Sequence, residues 1–183
     1  MKRIFFSVAV ILAANHCFAQ ARYFSKDAAV SFYSKALFEN IEAHNKTAIC
    51  VVDMTGGKIE FSVPIKGFQF ENSLMQEHFN ENYLESDKYP KAAFKGTIPS
   101  VGNVNLSKDG VYKVPMSGTL IMHGVSNPVT TEAVFTVKEG VASASAEFII
   151  KPEDYNIKIP ALVRDKVAKS VRVVVEIPLL KKI

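Results

Sequence analysis

The sequence has no tryptophan and only two cysteines, Cys17 and Cys50, among its 183 residues. Two cysteines allow at most one disulfide, which excludes a fold that depends on several of them. The sequence also has no apolar run of about 20 residues, the length that a transmembrane helix requires. We therefore predict a protein that is not an integral membrane protein and that folds around one hydrophobic core.

A strong excess of charge of either sign is also absent. The 22 lysines and arginines face 18 aspartates and glutamates, which gives a formal net charge of +4 at pH 7. Nucleic-acid-binding domains and avid binders of membrane surfaces carry a larger basic excess. The composition therefore predicts no nucleic-acid partner and no strong overall attraction to membranes.

No group of residues has the spacing of a catalytic or metal-binding site. His16, His44, His78 and His123 are far apart, and none forms an HxxxH pair. There is neither a Gly-rich phosphate loop nor a nucleophile elbow. We predict no enzyme, no catalytic residue, no cofactor and no metal. His123 precedes Gly124, and we expect it to make structural hydrogen bonds in a turn.

The first residues have the three parts of a secretory signal peptide. A basic start is followed by the apolar run 4–14 and by the small residue Ala19. Processing as a lipoprotein at Cys17 is the weaker alternative, because a histidine precedes it where a small residue is expected. We predict a signal peptide over 1–19, a mature domain over 20–183, and a periplasmic or secreted location.

Cleavage would leave Cys50 as the single cysteine of the mature chain. Its neighbours Ile49, Val51 and Val52 are typical of a buried strand. A thiol in such a strand is expected to be unreactive, so we predict neither a disulfide nor a nucleophile at this position.

Alternating apolar and polar residues predict eight strands. In the third of them Phe61, Val63 and Ile65 face one side, while the residues between them are mainly polar. The predicted strands cover residues 22–34, 47–54, 58–67, 91–98, 112–122, 129–138, 141–151 and 170–180. Residues 36–45 are ambiguous between a helical turn and an irregular crossing, and residues 152–169 have little periodicity.

One short helix is predicted over residues 73–84. Ser73 and Gln76 have the spacing of a capping box, and Pro90 prevents the helix from continuing. Met75, Phe79 and Tyr83 recur every four residues and so form one apolar stripe on the helix. The glutamates between them, Glu77 and Glu81, are expected to face water.

The connections between the predicted strands are too short for helical crossovers, so we predict an all-β, antiparallel sheet. A sandwich and a closed barrel both explain the alternation. The helix favours the barrel, because the helix would bury its apolar stripe if it closed one end of the barrel. We therefore predict an eight-stranded, lipocalin-like barrel with the helix near residues 73–84 at one end.

Several short motifs together resemble the YceI-like domain family. They are Phe79, Tyr83-Leu84, Tyr89-Pro90, Phe94-Lys95-Gly96, Gly118-Thr119-Leu120, His123-Gly124-Val125 and Pro128-Val129. The resemblance covers nearly all of the mature chain and implies an exported bacterial protein with a lipocalin-like β-barrel. It also implies that an isoprenoid or another long-chain amphiphile is held inside. The short basic segment before the last strand departs from longer members, so their headgroup contacts do not transfer.

The residues predicted to face inward contrast in size. Large side chains are expected at Phe61, Phe94, Met116, Met122, Phe135 and Phe148, whereas small ones are expected at Ala142, Ala144, Ala146, Gly96 and Gly118. Either neighbouring rings fill the gaps or a cavity remains, since voids otherwise cost stability. The family resemblance favours a cavity, and methionines suit a wall that adapts to flexible tails.

The predicted ligand-binding residues are those inward side chains other than the glycines, with Phe79 and Tyr83 from the helix. Arg164 is added as a headgroup contact, although a solvated loop cation is the alternative at that position. The predicted partner is a hydrophobic small molecule such as an isoprenoid or fatty-acid-like lipid, and a homodimer is compatible with the sequence. The rival hypotheses are an enzyme on a barrel scaffold and a filled barrel that acts through its surface in envelope stress or adhesion.

Overall fold

Alternation of apolar and polar side chains produces strands along most of residues 21–183, the part of the chain that the computed structural model describes. The predicted signal peptide, residues 1–19, lies outside the described residues. The strands are β1 (Arg22–Lys35), β2 (Asn40–Asp53), β3 (Lys58–Pro64), β4 (Lys91–Thr97), β5 (Gly110–Met122), β6 (Val125–Lys138), β7 (Val141–Ile150), β8 (Val171–Ile177) and β9 (Lys181–Lys182).

The sheet closes on itself. Strands β2 to β8 are hydrogen-bonded in chain order, and β1 pairs with both β8 and β2. Every pairing is antiparallel, and the two-residue β9 adds to the beginning of β1. The prediction of an eight-stranded antiparallel barrel is therefore confirmed, and the strands do not form the alternative sandwich.

The ambiguous residues 36–45 contain the first half of β2, which the sequence did not resolve. The register shifts once between Ser25 and Ala28 and again between Ala28 and Val30. A β-bulge adds one residue and turns the following side chains to the opposite face, so the two-residue period is interrupted. The fully buried Asn45 stabilises the second shift, because its Oδ1 accepts a hydrogen bond from the backbone N–H of Thr47 at 2.8 Å.

Helix α1 (Ser73–His78) continues into a π-helical turn (Phe79–Tyr83), which agrees with the predicted helix. The predicted capping box is wrong. Asn72 is the N-cap, and its Oδ1 accepts hydrogen bonds from the N–H groups of Leu74 (2.9 Å) and Met75 (3.3 Å). Gln76 does reach backwards, but it accepts from the N–H of Phe70 at 3.1 Å and so holds the chain before the helix.

The helix and the π turn form a plug at one end of the barrel. The ring of Phe79 lies 5.5 Å from Phe32, 5.5 Å from Phe68 and 5.0 Å from Phe70, measured between centroids. Such aromatic pairs stabilise a fold beyond the area they bury. Glu77 and Glu81 are exposed, as predicted.

Because neighbouring strands are antiparallel, successive connections lie at opposite ends of the barrel. The end that carries the plug, called the plug end below, collects residues 36–39, 65–90, 123–124 and 151–170. The opposite end collects residues 54–57, 98–109, 139–140 and the C-terminal residues 178–183. In the described part of the chain, no helix has both the length and the apolar character needed to cross a membrane.

Candidate functional site: an apolar cavity inside the barrel

The barrel encloses a cavity of about 220 Å³. All eight long strands line it, as Val30 of β1, Val52 of β2 and Met116 of β5 illustrate. The lining is almost entirely apolar, and Ser34 and Thr131 are among its few polar residues. This volume is far above the roughly 10–15 Å³ that one water needs, but the wall offers few partners for a water. The space therefore suits an apolar ligand.

Ten of the twelve predicted ligand-binding residues line this cavity. They are Phe61, Phe79, Tyr83, Phe94, Met116, Met122, Phe135, Ala144, Ala146 and Phe148. Two do not. Ala142 is buried near the opposite end, where its carbonyl accepts from the N–H of Leu180 at 2.8 Å. Arg164 is exposed in a 3₁₀ turn (Ala161–Lys166) at the plug end.

Among the small residues of the inner wall, two glycines are covered by an aromatic ring and two alanines border the cavity. Gly96 and Gly118 are paired across β4 and β5, and the ring of Phe94 lies over both. A methyl group built on Gly118 would come within 2.7 Å of the Cζ of Phe94. The glycines therefore leave no empty volume, whereas Ala144 and Ala146 face the cavity itself. The expectation that neighbouring rings fill the gaps is right for the glycines.

Sequence reasoning missed the part of the wall that comes from outside the regular strands. Pro152, Ile157, Ile159 and Val167 line the cavity from the segment between β7 and β8. That segment has little periodicity, so no face could be assigned to it from the sequence. The alternation of Ile157 and Ile159 about Lys158 was the available signal.

The plug is tied to its neighbours by a polar contact at the barrel rim. His123 and Gly124 form the two-residue turn between β5 and β6, both with positive φ (51° and 75°). Nε2 of His123 lies 2.7 Å from Oε2 of Glu85, and its Nδ1 lies 2.9 Å from the carbonyl oxygen of Tyr155. His123 thus has the structural hydrogen-bonding role predicted for it, joining the turn to Glu85 just after the plug and to the segment after β7.

Ser31, His44 and Glu42 are close together, but on the outer wall of the barrel. Ser31 Oγ lies 2.8 Å from Nδ1 of His44, whose Nε2 lies 3.3 Å from Glu42. These side chains point away from the cavity, because their neighbours Val30 and Phe32 are the ones that line it. The group therefore forms a hydrogen-bond network on the outer wall, on the side of the strands away from the cavity.

Cys50 is fully buried on the inner side of β2. Loss of solvation raises the pKa of its thiol from 9.0 to about 12. A thiol that stays protonated at neutral pH is a poor nucleophile, as the sequence predicted. Among residues 21–183, no three histidine, cysteine, aspartate or glutamate side chains are placed to hold a metal ion.

The model of the YceI-like domain matches residues 24–179. The chain belongs to the YceI-like family. The match covers all eight long strands except the first two residues of β1, together with the plug, so every residue that lines the cavity except Leu180 belongs to this YceI-like domain. No curated protein matches the chain.

Solved structures show the same fold at low sequence identity. A polyisoprenoid binding domain from Saccharophagus degradans, described as implicated in plant cell wall breakdown, has 14% identity and a TM-score of 0.77. The alignment covers 90% of this chain and 100% of that domain. Burkholderia cenocepacia BcnA has 19% identity and a TM-score of 0.68, covering 84% and 96% of the two chains. A mutant Campylobacter jejuni YCEI protein has 16% identity and a TM-score of 0.53, covering 100% and 99%.

Proposed function

We propose that this protein is a non-catalytic binding protein that holds the tail of a long-chain amphiphile inside its barrel. The observation that carries the proposal is the cavity: all eight strands and the plug contribute apolar side chains to one space. A tail that leaves water for such a space gains about 0.8 kcal/mol per buried CH₂ group, opposed by its lost conformational freedom. The ligand class is an isoprenoid or a fatty-acid-like lipid.

Two further observations support this ligand class. The fold is shared with the polyisoprenoid binding domain from Saccharophagus degradans. The wall also contains Met75, Met116 and Met122, whose flexible side chains can adapt to tails of different shape. We further propose export, with cleavage after Ala19 and a periplasmic or secreted location. N-terminal sequencing of protein from the envelope and secreted fractions tests that cleavage site.

The binding proposal is tested by filling the cavity. Ala144 lies between Phe135 and Ile177 on the neighbouring strands, and all three line the cavity. Ala144→Phe adds a ring where the tail would lie, so binding of a fluorescent fatty acid or isoprenoid should weaken at least about tenfold. Ser143→Phe adds the same ring on the outer side of β7 and should bind within about twofold of wild type.

Circular dichroism and thermal unfolding check that both variants keep the barrel. Equal binding by wild type and a folded Ala144→Phe would place the ligand outside this cavity. No binding by wild-type protein, together with the absence of a co-purified lipid in native mass spectrometry, would favour a barrel that acts through its surface. Because an unfolded Ala144→Phe would be uninformative, Ala146→Leu provides a smaller filling of the same wall.

A further inference from the structure

Three large apolar side chains are almost fully exposed at the plug end. Leu37 and Phe38 lie in the turn between β1 and β2 and are 88% and 77% exposed. Leu162 lies in the segment between β7 and β8 and is 94% exposed. Exposing such side chains in water is unfavourable, and a cluster of them is typical of an interaction surface.

These side chains lie on neighbouring connections. Tyr33 of β1 pairs with Arg172 of β8, so the start of β8 lies beside the end of β1. The N–H of Ala168 donates a hydrogen bond to Oγ of Ser34 at 2.8 Å, which fastens the segment before β8 to the same place. Residues 35–39 and 157–169 are therefore the two connections beside the β1–β8 pairing at the plug end, and together they are called the portal rim below.

The portal rim is basic. It carries the exposed cations Lys35, Lys158, Arg164, Lys166 and Lys169 against two acidic residues, Glu39 and Asp165. Within residues 21–183, none of these five cations forms an ion pair. The adjacent plug is acidic, with Glu77 and Glu81 exposed and the exposed Glu71 just before it. Charge is thus segregated at this end, which the small net charge of the whole chain conceals.

The portal rim is continuous with the cavity. Ile159 and Val167 belong to the rim and also line the cavity, while Ser34 and Ile41, which flank the turn, line it from the two strands. A tail that entered between these two connections would reach the interior without crossing the barrel wall.

We propose that the portal rim docks on the surface of an anionic lipid bilayer. Leu37, Phe38 and Leu162 would insert below the headgroups, and the cations around them would contact the phosphates. A bilayer offers both features at once, because its hydrocarbon lies directly beneath a layer of negative charge. This docking adds to the proposed function, since it would let an amphiphile pass between membrane and cavity while its tail stays out of water.

Co-sedimentation with vesicles tests the proposal. Wild-type protein should bind vesicles that contain phosphatidylglycerol more strongly than vesicles of phosphatidylcholine alone, and raised salt should weaken that binding. Replacing Leu37 and Phe38 together by serine should weaken it at least about tenfold, because two inserted side chains are lost. Arg164→Gln with Lys166→Gln should reduce the preference for the anionic vesicles.

The matched control removes two exposed apolar side chains from the opposite end of the barrel. Val111 and Val141 are 64% and 50% exposed there, and replacing both by serine should leave vesicle binding unchanged. Equal losses in the two double variants would overturn the docking surface. So would a wild-type protein that binds a fluorescent amphiphile but not vesicles, a result that leaves the cavity proposal intact. A dimer that the Leu37/Phe38 variant dissociates would show that a second copy covers the rim instead.

Discussion

At the residue scale, the inner wall depends on which small side chains have a ring above them. Phe94 covers Gly96 and Gly118, so these glycines allow one aromatic side chain to lie flat against the sheet. Aromatic cover of a glycine in a strand stabilises a twisted sheet and leaves no void. Ala144 and Ala146 have no such cover and border the cavity.

Gly118→Ala should therefore destabilise the barrel. The added methyl group would meet the carbonyl oxygen of Lys95 and lie 2.5 Å from the Cα of Gly96, and backbone atoms cannot move aside cheaply. We expect a loss of about 1–3 kcal/mol in the free energy of unfolding, measured by urea denaturation.

Gly102→Ala is the control for this substitution. A methyl group on Gly102 would meet no atom within 4 Å, so the change should stay within about 0.5 kcal/mol of wild type. Similar unfolding midpoints for the two variants would show that the strands around Gly118 have room that the structure does not indicate.

At the element scale, the plug is short and depends on its ends. Helix α1 has only six residues, and an isolated helix of that length is unstable in water. Its first turn is capped by Asn72, and its end continues into the turn that packs Phe79 against three other rings. Capping and tertiary packing together keep this element folded.

Asn72→Ala should loosen the plug, because the N–H groups of Leu74 and Met75 lose their acceptor. The expected cost is about 1 kcal/mol, seen as faster hydrogen exchange at these two amides and a lower unfolding midpoint.

Ser73→Ala distinguishes this cap from the one that the sequence predicted. Ser73 is the first residue of α1, and Asn72 supplies the capping oxygen. We therefore expect little change in exchange or stability. A larger effect at Ser73 than at Asn72 would restore the predicted capping box.

At the scale of the whole molecule, closing the barrel removes the free sheet edges that other chains could pair with. It also isolates the interior from water, as Cys50 illustrates. Because burial raises the pKa of the thiol in the folded barrel, the thiol ionises more readily when the chain is unfolded. The titration of one side chain is thereby linked to global stability.

The sign of this linkage follows from the raised pKa. Between pH 9.0 and about 12 the folded thiol keeps its proton while the unfolded thiol loses it. The contribution of Cys50 is therefore complete below pH 9.0 and decreases as the pH rises, by up to about 1.4 kcal/mol per pH unit. Urea denaturation of wild type and Cys50→Ala should show a stability difference that is constant at neutral pH and shifts against wild type above pH 9.0. A constant difference over that range would mean that the folded thiol ionises freely.

Much of the fold could be predicted from the sequence, because the required information is local. A two-residue period decides which face of a strand is buried, and residues such as Phe61 and Ala144 keep that period without interruption. Short connections then require antiparallel neighbours. The apolar stripe through Phe79 likewise needs only a four-residue spacing. Strand order, the plug and most of the cavity wall follow from these patterns.

Tertiary structure alone decided the features that depend on residues far apart in the sequence. Whether Gly118 leaves a void depends on a ring from another strand, that of Phe94. The bulges that hide the first half of β2 exist only in its pairing with β1. The portal rim joins two connections that are more than a hundred residues apart in the sequence, because the barrel closes between β1 and β8 and Ala168 bonds to Ser34. Local periodicity contains no information about such contacts, since they are set by which strands pair and in what register.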